Sequence, residues 1–436
     1  MRLKKEHYSL LSMEEIRKVG STKWIPRGAS LTPKTPLYYI KDDADEKYPI
    51  TAYLPSNPRD IQYRYWALGD NKTKGTFEWH KAFPRSSPFS LVNVKSLGEI
   101  EERAEYWERC QKALYEATDG DIDLSKYTSF KQAALYLWRE SCLQYDPEHI
   151  DDEEAEWLLC AKNGMTIWWK GERYEGYGVQ QDMNSFYLTL MCQPEFQIPM
   201  KKPIFHIYNE DHFDHEGNSA KCGIYRAQIE GDSFLFNHQV NNHYTNFDIM
   251  CARQRGLKIS MIQDDKPNAM VYETGKAAGS HMFKEFADRM QDLKKQGVLG
   301  AKDLMRSFWG GFGQKNKKRL NGKPNKAFEC YQDKEISKIV DIDDGEKNFT
   351  LHVHQKTNPF LTPFARLSIF LPALGRFVMA NILHEHQDKI LRVYCDSWIS
   401  TERLDIDAFT EGIELGQFKT EHQGKVVIES AKTVHW

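Results

Sequence analysis

A chain of 436 residues has room for two or three domains. With 40% apolar and 13% aromatic residues it can bury a sizeable core, which excludes a wholly disordered protein. The net charge of −3 excludes binding to nucleic acid by global charge, so any such site must come from local clustering. No uninterrupted apolar run approaches the ~20 residues of a membrane helix. The longest, Phe370 to Leu383, is interrupted by Arg376. Met1 to Leu11 carries charge without an apolar stretch, so no secretory signal is expected. The eight cysteines are scattered and form no C-x-x-C pair, which fits a reduced, intracellular protein without a structural zinc site.

Residues 1–60 are rich in proline and charge and read as a loose arm or small subdomain. Helical spacing around Ile100, Ala104, Trp107 and Leu114 predicts a helix over Ser96 to Ala117, followed by a turn at Asp119 to Asp123. Further helices are predicted at Ser129 to Cys142 and from the acidic run Asp151 to Glu156, where carboxylates suit the positive end of the dipole. Near residue 165 the character changes. Met165 to Trp169, Tyr174 to Met183 and Gly223 to Ile229 read as strands. Met282 to Lys295 and Ala301 to about Gly310 read as two antiparallel helices joined at Gly297 and Gly300. Pro363 to His384 is a long helix with an expected kink at Pro372. Ile390 to Tyr394 and Ile399 to Thr401 flank a predicted turn at Cys395 to Trp398, and Lys425 to Ser430 is the last strand.

Three constellations carry chemistry. In Gln181-Asp182-Met183-Asn184-Ser185-Phe186-Tyr187 a strand delivers Asp182 to its end and a helix follows. A carboxylate there can hold a divalent cation, and the next backbone N–H groups can hold phosphate oxygens. The bland alternative is that Asp182 caps the helix. In Lys302-Asp303-Leu304-Met305-Arg306-Ser307-Phe308-Trp309-Gly310, Lys302, Arg306 and Trp309 share one helix face. Two cations and an indole suit a nucleoside triphosphate; the bland alternative is a solvated face. In Val393-Tyr394-Cys395-Asp396-Ser397-Trp398 a strand ends in a turn presenting Asp396, which is also what an ordinary hairpin looks like.

Taken together, these segments resemble the family B DNA polymerases of the protein-primed branch found in phages, viruses and linear plasmids. Asp182 to Tyr187 is similar to the family's D-x-x-S-L-Y, Lys302 to Gly310 to K-x-x-x-N-S-x-Y-G, and Tyr394 to Ile399 to Y-x-D-T-D-S. Asn241-Asn242-His243-Tyr244-Thr245, Thr362-Pro363-Phe364-Ala365-Arg366, Leu415-Gly416-Gln417-Phe418 and Lys432-Thr433-Val434 resemble further segments, in order. Ala161-Lys162-Asn163-Gly164 stands where the family has Y-x-G-G. The resemblance covers roughly 125–436.

It implies an α+β fold: a right-hand polymerase palm sheet with a two-helix fingers insertion, a reduced N-terminal region, and a thumb absent or minimal. The expected domains are an N-terminal, degenerate exonuclease-like region at 1–125, palm at 126–280 and 321–436, and fingers at 281–320. Catalytic and metal-holding roles fall to Asp182 and Asp396, with Mg2+ or Mn2+ as cofactor. Ser185, Tyr187, Lys302, Arg306 and Trp309 are implied to bind nucleotide, Tyr187 at the place of the steric gate. Lys432 is implied to reach the primer-terminal backbone. Gln314 to Lys326 holds six basic residues and no acid, so Lys315, Lys317, Lys318 and Arg319 are expected to contact nucleic-acid backbone unless the segment is only a solvated loop. DNA, deoxynucleoside triphosphates and a terminal or other replication protein are the implied partners, with no membrane.

The departures matter as much. The second Asp of the third motif is Trp398, the fingers Asn is Arg306, the fingers Tyr is Trp309, and the last Tyr is Val434. Glu402 lies four strand residues from Trp398, about 13 Å away, too far without a bulge, and Asp303 faces away from Lys302, so neither is expected to replace the missing acid, and a single ion is expected. No exonuclease carboxylate set is found; Asp121-Ile122-Asp123 lies too close to the palm. His212-Phe213-Asp214-His215 has metal-like spacing but no neighbouring cysteine, and is read as structural. The expected function is template-directed DNA polymerisation, viral or plasmid-borne, weakened or altered by Trp398. The alternative is an inactive polymerase-derived protein that binds nucleic acid or a replication or virion partner. The expected location is the host cytoplasm or nucleus, or the virion.

Overall fold

The computed structural model describes residues 97–127, 129–215, 217–322, 359–407 and 409–436, with strands at 37–41, 50–53, 91–94, 334–342 and 348–355. The loose arm expected at 1–60 lies outside them, apart from the first two of those strands. In chain order the elements begin with β1 (Leu37–Lys41), β2 (Ile50–Tyr53), β3 (Leu91–Val94), α1 (Leu97–Ala117), α2 (Phe130–Ser141), α3 (Asp152–Cys160), β4 (Ile167–Trp169) and β5 (Tyr174–Met183). There follow α4 (Phe186–Met191), β6 (Gln197–Pro199), β7 (Ile204–His206), β8 (Gly223–Glu230), β9 (His243–Thr245), α5 (Asn246–Gln254), β10 (Lys258–Met261), β11 (Ala269–Val271) and β12 (Lys276–Ala278). Then come α6 (Gly279–Lys295), α7 (Ala301–Phe308), β13 (Lys317–Gly322), β14 (Lys334–Ile342), β15 (Asn348–Gln355) and α8 (Leu367–Leu383). The chain closes with β16 (Ile390–Tyr394), β17 (Ser397–Ser400), β18 (Phe418–Ile428) and β19 (Val434–His435).

The chain forms two compact units. The first gathers Met1–Leu137, Asp292–Phe308 and Asn316–Thr357. Its strands make two sheets, ordered β2-β1-β3 and β13-β15-β14. Within it α7 rests against α1. Gly300, at φ +92°, has no side chain to meet the Cys110 and Leu114 side chains about it, so the turn before α7 can close onto α1. The Tyr106 hydroxyl of α1 donates to Asp303 Oδ2 at 2.5 Å. Asp123 accepts from the Ser125 N–H and caps a short 3-10 turn.

The second unit comprises Trp138–Gln291, Trp309–Lys315 and Asn358–Trp436. Its main sheet is antiparallel throughout, in the order β19-β18-β5-β17-β16-β4. A second sheet runs β10-β8-β11-β7, with β9 paired to β8. Strand β5 spans the range read from sequence. By contrast β18 begins at Phe418 rather than Lys425. The added residues, Lys419 to Gly424, are polar and carry no apolar alternation; β5 supplies the ladder that makes them a strand.

The segment Pro363–His386 is long and apolar enough, by length and composition, to cross a membrane. It matches the long helix read from sequence over Pro363 to His384 to within two residues. Its helix α8 is a core helix here: it is mostly buried, and it packs on α4 and α5. Both its arginines are buried and paired. Arg366 donates twice to Glu154 (2.6 and 2.9 Å), which also accepts from the Tyr272 hydroxyl at 2.6 Å. Arg376 donates to Asp248 Oδ1 at 2.7 Å and to the Gly164 carbonyl at 2.8 Å. Asp248 in turn closes a capping box with Thr245 at the start of α5. Arg376 thus ties the Gly164 segment and the Thr245 cap to the middle of α8, while Arg366 ties the start of α8 to α3. Helix α8 continues through Pro372.

Candidate active site

Strand β5 lies at the centre of the main sheet, and Asp182 is its penultimate residue. Ser397 of β17 stands opposite Asp182 on one side, and Lys419 of β18 on the other. The β16–β17 hairpin closes through only two residues, Cys395 and Asp396, because Tyr394 pairs with Ser397. The Met183 N–H donates to the Asp396 carbonyl at 3.0 Å, so the two candidate carboxylates sit on adjacent backbone segments at one end of the sheet.

Two left-handed, non-glycine residues flank them: Ser185 at φ 53° and Cys395 at φ 59°. Such conformations cost about 1–3 kcal/mol each and gather at functional sites. Asp182 is not a helix cap. The cap position of α4 is Ser185, which makes no side-chain capping bond. Two backbone N–H groups expected to hold phosphate are already engaged, Met183 by Asp396 and Asn184 by the Gln417 carbonyl at 2.8 Å. Asn184 Nδ2 also donates to the Gly412 carbonyl at 2.6 Å. The Leu415–Phe418 segment therefore braces the first motif, and Gly416, at φ +77° and against Thr189, admits no side chain there.

Trp398 does not sit in the turn as the sequence spacing predicts. It belongs to β17, opposite Gln181 rather than Asp182. It is fully buried, and its Nε1 donates to Gln181 Oε1 at 3.2 Å. That oxygen also accepts from the Leu404 N–H at 3.0 Å, while Gln181 Nε2 donates to the Leu404 carbonyl at 2.9 Å. Since side chains alternate along a strand, the indole lies on the sheet face opposite Asp182. The turn is shorter than predicted because Ser397 and Trp398 gain ladder partners on both sides, and the buried face takes the indole.

Burial pushes the Asp396 carboxyl above the usual carboxylate range, and the charge of Glu421 pushes it further, against its own backbone N–H. Glu421 is the acid that sequence reasoning missed. It is the extra residue where the β18–β5 register shifts between Thr420 and His422, a bulge. Its carboxylate accepts from Lys419 Nζ at 2.5 Å and from Gln180 Nε2 at 3.3 Å. The i, i+2 spacing of Lys419 and Glu421 was the available signal, had the strand been seen to start at Phe418. Glu402 is paired instead with Lys389 at 2.6 Å.

The rings of Tyr187 and Trp309 meet at 4.7 Å, tilted by 34°. Gly375 of α8 makes room for the Tyr187 and Phe186 rings: a β-carbon there would stand 2.9 Å from the Tyr187 ring. Burial raises the Tyr187 hydroxyl's pKa, and the charges of Cys395 and Asp396 add to the rise. Tyr187 thus belongs to the same neighbourhood as the hairpin turn.

The remaining candidates lie on other elements. In the first unit, Lys302 and Arg306 are exposed on α7 while Leu304, Met305 and Phe308 are buried, as helical spacing predicts. Trp309 leaves that helix in a 3-10 turn and belongs to the second unit. Lys315 forms an isolated bridge with Phe360. Lys317, Lys318 and Arg319 lie in β13, opposite His354, Val353 and His352, so this part of the basic segment is a strand and not a loop. Lys432 occupies the turn between β18 and β19, beside the Tyr174 end of β5, eight strand residues and ~26 Å from Asp182. His212 is stacked on Tyr208 at 4.0 Å and His215 pairs with Asp211 at 3.1 Å, a structural role for both.

Among the described residues no three His, Cys, Asp or Glu side chains gather as a metal-holding group. Asp182 and Asp396 offer two carboxylates, and the third, Glu421, is bound by Lys419. That donor set fits one divalent ion completed by water and substrate oxygens, as Mg2+ commonly is. It does not fit a pair of ions.

No protein-family model and no curated protein matches the chain. Solved structures do. Phi29 DNA polymerase complexed with single-stranded DNA superimposes with a TM-score of 0.52 at 14% identity, over 74% of this chain and 56% of that one. The complex of Phi29 DNA polymerase with primer-template DNA and incoming nucleotides gives 0.51 at 14% identity, over 74% and 57%. Its orthorhombic crystal form gives 0.50 at 13%, over 82% and 62%. The chain therefore has a polymerase-like fold, and it spans less than two-thirds of the length of these polymerases.

Proposed function

We propose that this protein is a template-directed DNA polymerase of the protein-primed family B type, working with one divalent ion. One observation carries the reading: Asp182 and Asp396 stand on adjacent backbone segments at one end of the central strands, joined by the Met183–Asp396 backbone bond. The reading divides the chain into an N-terminal region at 1–125, palm at 126–280 and 321–436, and fingers at 281–320.

Asp182 and Asp396 would hold Mg2+ or Mn2+, which supplies charge neutralisation at the phosphates. The two carboxylates fix the place where the primer 3′-hydroxyl meets the α-phosphate. A new P–O bond forms there as the 3′-hydroxyl gives up its proton to solvent water, and pyrophosphate departs with the electron pair of the broken P–O bond. Lys302 and Arg306 bind the triphosphate, Ser185 lies at the phosphate side, and Trp309 packs on the nascent base pair. Tyr187, held by Gly375 and Trp309, excludes a ribose 2′-hydroxyl. Lys315, Lys317, Lys318, Arg319 and Lys432 contact nucleic-acid backbone.

Trp398 favours a second reading, a polymerase-derived protein that binds DNA without extending it. Primer extension with magnesium and with manganese separates the two. Incorporation is expected from the parent and is expected to be lost in Asp182→Asn. DNA binding by both proteins with extension by neither would establish the second reading.

A further inference from the structure

Asp182 and Asp396 at the hairpin end of the sheet fit one divalent ion, one cation fewer than two-ion phosphoryl transfer uses. The sheet supplies another positive charge at that end. Lys419 is the direct cross-strand neighbour of Asp182, on the side of β5 away from the hairpin. Directly opposed residues of an antiparallel pair share a face, with β-carbons about 5 Å apart. The lysine is also held. Its Nζ is 2.5 Å from Glu421, and the Glu421 carboxylate is bonded to Gln180, two residues before Asp182 on β5. The register shift that makes Glu421 a bulge residue places it where it can reach both. Lys419 and Glu421 are only partly exposed, at 37% and 30%.

We propose that the Lys419 ammonium stands in for the second cation of the site, with Glu421 as the residue that positions it. The inference rests on the polymerase reading above and adds to it how a one-ion site balances its charge. Asp182, Asp396 and Glu421 with Lys419 amount to a net charge of minus two, which one divalent ion neutralises. Two ions and the ammonium would overshoot. An ammonium offers three donors to phosphate oxygens and needs no carboxylate cage. Trp398, on the other face, is then the residue a site with one ion can tolerate at that position. A bland ion pair between neighbouring side chains of one strand is the competing account, and it makes different predictions.

The test uses the 436-residue chain and its Lys419→Met, Lys419→Arg and Asp182→Asn variants. Two readouts are needed: manganese titration by calorimetry, and single-nucleotide incorporation on a primer-template. Lys419→Met removes a positive charge beside the ion and frees Glu421, so manganese affinity should rise several-fold while incorporation falls at least about tenfold. Lys419→Arg should keep parent-like manganese affinity and recover part of the incorporation. Thermal melts are expected to match the parent for both variants.

A Lys419→Met protein with unchanged manganese affinity and unchanged incorporation would show that the pair is an ordinary surface contact. Reduced manganese affinity in that variant would overturn the inference as well, because it would make Lys419 a support for the ligands and not a rival cation. If the parent binds no manganese that Asp182→Asn removes, the polymerase reading itself fails, and this inference with it. If the parent binds manganese through Asp182 and Lys419→Met changes nothing, only the inference fails.

Discussion

Trp398 is a core residue of the sheet that carries the site, and its burial decides what a substitution there does. The indole is fully buried and shares Gln181 Oε1 with the Leu404 N–H. Trp398→Asp removes a large core side chain, which costs about 3–5 kcal/mol, and leaves a carboxylate without water. The face it would occupy is not that of Asp182, so no metal ligand is gained. Urea unfolding should show a loss of at least about 3 kcal/mol, and calorimetry should show no added divalent ion. A stable Trp398→Asp protein with a second bound ion would mean that β17 pairs with β5 in another register. Three side chains that motif spacing brought out, Asp182, Asp396 and Tyr187, do lie in one neighbourhood. Glu421 was not legible because a bulge leaves no periodic mark in the residues around it.

At the scale of elements, charge at the ends of helices does more than the surface ion pairs. Asp151 accepts from the Glu154 N–H at 3.0 Å and pairs with Lys202 at 2.9 Å. The Glu154 N–H, then Lys202, hold its carboxyl below the usual range against some burial. A depressed folded pKa stabilises above the unfolded value of ~3.9 and loses that contribution as pH falls through the folded value. Asp151→Asn keeps a capping oxygen and loses the charge. Its melting temperature should lie below the parent's at pH 7, and the gap should close towards pH 3. Asp151→Ala removes the cap too and should cost about 1 kcal/mol more. Deeper in the same unit, Arg366→Ala leaves Glu154 charged and buried, so urea unfolding should show a loss of about 3–5 kcal/mol. Replacing Arg366 with Met and Glu154 with Leu together should restore most of it. A single variant as stable as the parent would mean that water reaches Glu154. Helices such as α1 and α6 were legible from apolar spacing, and β5 from its bounding turns. Strand β18 was not, since Lys419 to Gly424 have no apolar alternation and owe their conformation to β5.

The whole molecule makes the same point through its segmentation. Each compact unit collects stretches distant in sequence, and the boundary falls inside α6 and between Phe308 and Trp309. Local patterning located the two helices there but could not assign Trp309 to the partner of Tyr187, because that contact joins residues far apart in the chain. The basic segment is a similar case. Lys317–Gly322 is a strand whose partner, β15, lies some thirty residues further on. A charged run without apolar alternation reads as a loop when its partner is unknown. In a strand the backbone of Lys317, Lys318 and Arg319 is already ordered, so contacts to nucleic-acid phosphates cost less conformational entropy. Each phosphate contact contributes ~0.7 to the log–log salt slope on single strands and ~0.9 on duplex DNA. Replacing all three residues with Gln should lower the slope by ~2–3, weaken binding of every sequence alike, and leave manganese binding at Asp182 unchanged. Binding isotherms from low to moderate salt measure this directly. A slope that stays at the parent's value would assign the strand to the solvent and move the nucleic-acid contacts to other residues.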